Sequence, residues 1–218
     1  MEDYRITLKR VGTVLVIVGI VDIGYMVYCI ANMRHYSSSF NVFAVIAGIF
    51  LIRGSLRAAR IITSFSSFLL GGCLGAVIFL LPFLFPFDLW VTMFRLNPGG
   101  SIFNVLFAIV SLALLFWVNG QLRSPSIVQA REAAGQIAKS PRSLFGFGVL
   151  LAVALSVILH LSMGGEFAAK AEQLAQAKVG PGYKFTVTSM NRNIGYCRAV
   201  VTAYNQKEIK DVIVEWQQ

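Results

Sequence analysis

The chain has 218 residues, 56% hydrophobic and 13% charged, with a formal charge of +9 and a mean hydropathy of +0.70. A water-soluble domain carries about 25% charged residues, and a small core hides only about two-thirds of its chain. A soluble globular protein is therefore a poor match, and hydrocarbon is the expected solvent for the apolar excess. The basic residues stand between apolar blocks, with no Lys/Arg run interleaved with aromatics, so a nucleic-acid partner is not expected and membrane lipid is.

In chain order, MEDYRITLKR precedes the first apolar block, which lacks a small-residue cleavage site and reads as an anchor. Spans are predicted at about 11–33, 36–52, 61–87, 102–118 and 144–163, the second being the weakest. Pro82 and Pro86 predict a bend near the end of the third span. The aromatic stretch 83–95 reads as an interfacial loop, with Asp88 and Arg95 at its aqueous edge. Between the fourth and fifth spans, residues 124–140 read as a short amphipathic helix: Ser124 and Pro125 mark its start, Pro141 its stop, and Ile127, Ala130, Ala134 and Ile137 form one stripe.

Beyond the fifth span, residues 166–179 predict a helix closed by Gly180-Pro181-Gly182, after which the period falls from helical to two. Strands are expected at 183–190, 195–204 and 209–216, with turns at Asn191-Arg192-Asn193 and Asn205-Gln206-Lys207. The predicted class is thus an all-α membrane bundle of five spans (1–163) followed by a small α+β domain (164–218) with a three-stranded antiparallel meander. Alternation puts Phe185, Val187, Cys197, Ala199, Val201, Ala203, Val212, Val214 and Trp216 on one face, under the preceding helix. The other face carries Tyr196, Arg198, Val200, Tyr204, Ile209 and Ile213, too apolar to meet only water, and is the candidate partner surface.

Orientation follows from the cations. Five spans put ten on the N-terminal side (Arg5, Lys9, Arg10, Arg53, Arg57, Arg60, Arg123, Arg131, Lys139 and Arg142) against Arg34 and Arg95 opposite. A re-entrant second segment reverses this to four against eight. The excess favours five spans with the N-terminus in the cytoplasm and the C-terminal domain outside.

Few residues carry chemistry. Asp22 lies mid-span, where a carboxylate is costly; it reads either as a helix-packing hydrogen bond or as a proton or cation relay, with Ser66, Ser67, Cys73 and Ser111 as neutral partners. His160, near the outer end of the fifth span, has only His35 as a companion, and no metal site is expected. Gly71 and Gly75 give the spacing that lets helices approach closely. Cys29, Cys73 and Cys197 form no CxxC pair, and hydrolase, P-loop and metalloprotease motifs are missing.

No cofactor or catalytic residue is expected. The favoured role is a non-enzymatic subunit or assembly factor of a bacterial inner-membrane complex, docking other membrane subunits or a second copy. The alternatives are a small transporter or channel using Asp22, and an envelope sensor.

Overall fold

The computed structural model describes residues 3–33, 41–136, 141–193 and 195–217. Four helical stretches are long and apolar enough to cross a membrane: Asp3–Ala31, Leu56–Leu84, Pro98–Leu122 and Arg142–Met163. Only 6% of the most apolar window of the third stretch is buried inside the protein, and Ile102, Leu106, Phe107 and Ile109 are each more than half exposed. Side chains of this kind, spread around a helix, need hydrocarbon around them. The chain is mostly helical, ends in a three-stranded antiparallel sheet, and carries the marks of a membrane protein.

The segment expected as the second span is shorter than the rest. Helix α2 (Asn41–Ile52) has 12 residues, about 18 Å at about 1.5 Å per residue against a hydrocarbon core about 30 Å thick; residues 36–40 lie outside the described residues. Among the described residues, four helices and not five are long enough to span.

The chain folds into two compact units, Met1–Gly71 with Leu112–Phe147 and Gly72–Ser111 with Gly148–Gln218. In the first, α1 (Asp3–Ala31) packs along α2, and the two backbones meet at glycine. A Cβ on Gly12 would lie 2.6 Å from the Gly48 carbonyl oxygen, and one on Gly48 equally close to that of Gly12. Leu8 and Val11 of α1, Leu51 of α2, Ala59 of α3 (Leu56–Gly75), Val118 and Leu122 of α6 (Pro98–Leu122) and Ile127 of α7 (Pro125–Ala133) form one buried cluster. The cluster gathers the start of α1, the end of α2, the start of α3 and the end of α6. Short as it is, α2 returns the chain to the end from which α1 departs.

Helix α7 is shorter than the predicted 124–140, and Ile137 lies outside the described residues. Gly135 (φ +69°) ends it: its N–H donates to the Glu132 carbonyl, and that of Gln136 to the Arg131 carbonyl. This paired closure needs a left-handed residue, for which glycine is suited. The stop lies six residues before Pro141, which instead opens α8 (Pro141–Met163).

In the second unit, α3 runs on through a π-helical turn (Ala76–Leu80) into α4 (Leu81–Leu84). Pro82 has no N–H for the carbonyl four residues back and crowds it, and the wide turn just upstream accommodates that misfit. The stretch 83–95, expected as a loop, is largely helical: Pro86 precedes α5 (Phe87–Leu96), whose Leu89 is buried. Asp88 in its first turn and Arg95 in its last complement the helix dipole.

Helix α9 (Glu166–Val179) lies on the meander β1 (Lys184–Asn193), β2 (Tyr196–Tyr204) and β3 (Ile209–Gln217). Ala171 and Ala175 meet Ala199, Val201 and Val214, with Phe185, Val187, Val212 and Trp216 around them. Asn191–Asn193, expected as a turn, continues β1, and Gly195 (φ +80°) lies in the turn instead. A bulge between Val187 and Ser189 shifts the register and brings Met190 to the α9 side.

The Gly71 and Gly75 positions carry α8. A Cβ on Gly71 would overlap the Phe145 carbonyl oxygen, and one on Gly75 would lie 2.8 Å from Ala152 Cβ. Both helices advance in the same direction through these contacts. Replacing Gly71 by Leu is expected to cost at least about 1–3 kcal/mol through overpacking and to lower the unfolding temperature in detergent. Gly120→Ala, with open space at its Cβ, is expected to leave it unchanged or raise it.

Candidate functional site

The open face of the sheet follows from the register. Cross-strand partners from β2 to β3 are Tyr196 with Gln217, Arg198 with Glu215, Val200 with Ile213, Thr202 with Asp211, and Tyr204 with Ile209. Tyr196 is 39% and Ile213 45% exposed, and Val200 lies half-buried between them. Arg198 pairs with Glu215 at 3.5 Å, and the same carboxylate, by hydrogen bonding, pushes the Tyr196 phenol above its ordinary value.

The next row is polar and self-satisfied: Thr202 donates to Asp211 Oδ1 at 2.8 Å, and Thr188 to the Val200 carbonyl at 3.2 Å. Tyr204, expected on this surface, is 5% exposed and lines a cleft instead. Ile209, its cross-strand partner, is half-buried. The exposed apolar surface is thus narrower than alternation alone predicts, and centres on Tyr196, Val200 and Ile213.

The cleft, about 520 Å³, lies between α5 and one end of the sheet and is lined by Asp88, Thr92, Arg95, Tyr183, Lys184 and Tyr204 among others. Lys184 forms an ion pair with Asp88, which holds its ammonium above the ordinary lysine value. Next to it, Lys210 and Tyr183 both donate to Glu208, and Asn205 Oδ1 accepts from the Lys207 and Glu208 N–H groups. Such surface pairs orient segments more than they stabilise them. The cleft's lining has no Ser or Cys beside a base.

Asp22 is half-buried on α1. Ser66 and Ser67, two of its expected partners, instead meet Asn119 of α6. Asn119 Nδ2 donates to Ser67 Oγ at 2.7 Å and Ser66 Oγ at 2.9 Å, and both hydroxyls donate to the Thr63 carbonyl. Ser111 is half-buried on α6. His160 is exposed, its ring edge-on to Phe83 with centroids 5.0 Å apart. Among the described residues no group of three or more His, Cys, Asp or Glu could hold a metal ion.

Two residues escaped the sequence reading. Asn119, 5% exposed, falls one residue past the predicted end of the fourth span. Arg131, 8% exposed, follows Ile127 by one helical turn, so α7 buries an arginine on its apolar face. Among the described residues, Arg131 Nε and Gln136 Oε1 are the buried side-chain polar atoms without a hydrogen-bond partner. Burial, together with the charge of Arg60, holds the Arg131 guanidinium below the ordinary arginine value. An amide just beyond the end of a predicted span was the available signal for Asn119; Arg131 looked like one more loop cation.

No protein-family model matches the chain, and neither a curated protein nor a solved structure shows significant similarity to it.

Asn119→Ala is expected to lower stability by about 1 kcal/mol, the scale of interhelical hydrogen bonds in membranes, as read by thermal unfolding in detergent. A second prediction concerns acid. Lys210, then Tyr183, hold the Glu208 carboxyl below the ordinary value of 4.5. Its contribution is therefore present above that value and lost as pH falls through the lowered one. Amide exchange across residues 205–210 is expected to speed up, after correction for intrinsic rates, as pH falls below the ordinary glutamate value of 4.5, and Glu208→Gln to remove the step.

Proposed function

We propose that the chain is a non-enzymatic, multi-pass subunit or assembly factor of an inner-membrane complex. It docks another membrane protein through the open face of its C-terminal sheet. The observation that carries the reading is the exposed Tyr196–Val200–Ile213 patch, on the face that α9 leaves uncovered. Aromatic and branched apolar residues beside a charged pair are what the centre and rim of a protein interface require. Helical rather than barrel spans favour the plasma membrane, the inner one of a bacterium with two.

In this reading the chain makes five passes, the second through α2 and its flanking residues. Support comes from the cluster that joins Leu8 to Leu51 and Ala59: the chain is back where it began before α3 departs. Arg5, Lys9, Arg10, Arg53, Arg57, Arg60, Arg123 and Arg131 then belong to the cytoplasmic end, and the sheet to the opposite side.

Purification in mild detergent with a C-terminal affinity tag tests the role. A stoichiometric membrane partner is expected to accompany the wild-type chain and to be lost, at unchanged expression and unfolding temperature, from Ile213→Ser and Tyr196→Ser. A monodisperse monomer without partner, unaffected by either change, would contradict it. Asp22→Asn separates the transport alternative: the docking reading expects solute and proton flux through reconstituted vesicles to be unaltered.

A further inference from the structure

One stripe of α3 has two neighbours of different kinds. Arg60, Ser64, Phe68, Gly71 and Gly75 follow one another at steps of four, four, three and four residues, and so share a helix face. Gly71 and Gly75 take α8, as described. Nearer the start of α3 the same face borders a groove of about 360 Å³, lined by Arg60, Ile61, Ser64, Phe65, Phe68 and Leu144. The reason is geometric. Helix α8 begins at Pro141, and Phe145, four residues in, already lies against Gly71. Helix α8 therefore flanks α3 only from about Phe68 onward, where Phe68 meets Phe147 at 6.0 Å.

From Arg60 to Phe68 the groove follows α3 for about 12 Å. Its wall is apolar apart from Ser64, and Ile61 is 68% exposed. The cation stands near the start of α3, next to the buried cluster that contains Ala59, so this open groove has a charge at one end and apolar side chains along the rest.

Arg131, one helical turn after the Ile127 that shares a buried cluster with Ala59, is a second charge nearby, outside the groove's own lining. Its side chain is 8% exposed, Nε has no hydrogen-bond partner, and it feels the charge of Arg60. No ion pair among the described residues engages either arginine. Two like charges drawn together, one of them desolvated, call for an anion with several acceptor oxygens. A guanidinium pair suits phosphate, and an apolar groove leading away from it suits an acyl chain.

We propose that one anionic phospholipid occupies this place, its phosphate at Arg60, backed by the buried charge of Arg131, and one acyl chain along Ile61, Phe65, Phe68 and Leu144. The proposal needs the chain to lie in a membrane and is independent of any protein partner. The lipid fills the space beside α3 that α8 leaves and supplies the counter-charge that no ion pair among the described residues gives these arginines.

Native mass spectrometry of the delipidated full chain tests this. The probes are phosphatidylglycerol, phosphatidylcholine of the same acyl chains, and acyl-free glycerophosphoglycerol. Wild-type protein is expected to retain phosphatidylglycerol about tenfold better than phosphatidylcholine, and the acyl-free headgroup hardly at all. Arg60→Gln and Arg131→Gln should each abolish that preference, and Ser64→Trp, which fills the groove, should lower retention of both lipids. Arg57→Gln, an exposed cation outside the groove, should change nothing. Because Arg131→Gln alters a buried site, Arg60→Gln at unchanged unfolding temperature decides the case. Equal retention of the two lipids, an undiminished preference in Arg60→Gln, or the same loss in Arg57→Gln would overturn the proposal. Retention of the acyl-free headgroup as strong as that of the lipid would reassign the site to a soluble phosphate.

Discussion

A helix in hydrocarbon satisfies its own backbone but has nothing with which to solvate a charge, and every other feature of this molecule is arranged around that limit. Cations occur near helix starts, helix ends and short connections, while the interiors of the apolar stretches are left to Val, Ile, Leu, Phe and glycine. The start of α1, the end of α2, the start of α3 and the end of α6 share one buried cluster. Their arginines and lysines are thereby drawn to one end of the first unit.

Because lipid is as apolar as leucine, helices in a bilayer gain little from burying leucine against leucine and depend on close contact instead. Two devices provide it here. Backbones touch through glycine where α1 meets α2 and where α3 meets α8, at separations that a single methyl group would prevent. One amide, Asn119, ties α6 to α3 through two hydroxyls that are also anchored on their own helix, so every donor in the knot is used. Burying polar groups is tolerable because the network is complete. Arg131 departs from that rule, which makes it the most informative charge in the bundle.

Helical stretches of about 20 apolar residues and the switch to alternation after Gly182 are strong periodic signals, and the class of the C-terminal meander was legible from them. The face beneath α9 was readable for the same reason, since strand parity fixes it once a register exists. Local punctuation was harder. Pro141 looked like a helix stop because proline cannot continue a helix, yet it also suits a first turn; Gly135, six residues earlier, was the real terminator. The stretch 83–95 resembled a loop because its aromatics and two charges mask the spacing of an amphipathic helix. Tyr204 shows what alternation omits: it assigns a side of the sheet, whereas exposure depends on what lies across from the end of the strand. Asn119 and Arg131 were visible as letters, but only packing gives them partners or denies them.

The C-terminal domain presents its open face on the far side only if α2, too short to span by itself, nonetheless reverses the chain. Reporter fusions measure this directly. Alkaline phosphatase joined after Gln218 is expected to be active and a fluorescent protein there dark, with the opposite result for fusions at Ala134. A fluorescent fusion after Gln218 would place that end of the chain in the cytoplasm and contradict the orientation built on the return at α2.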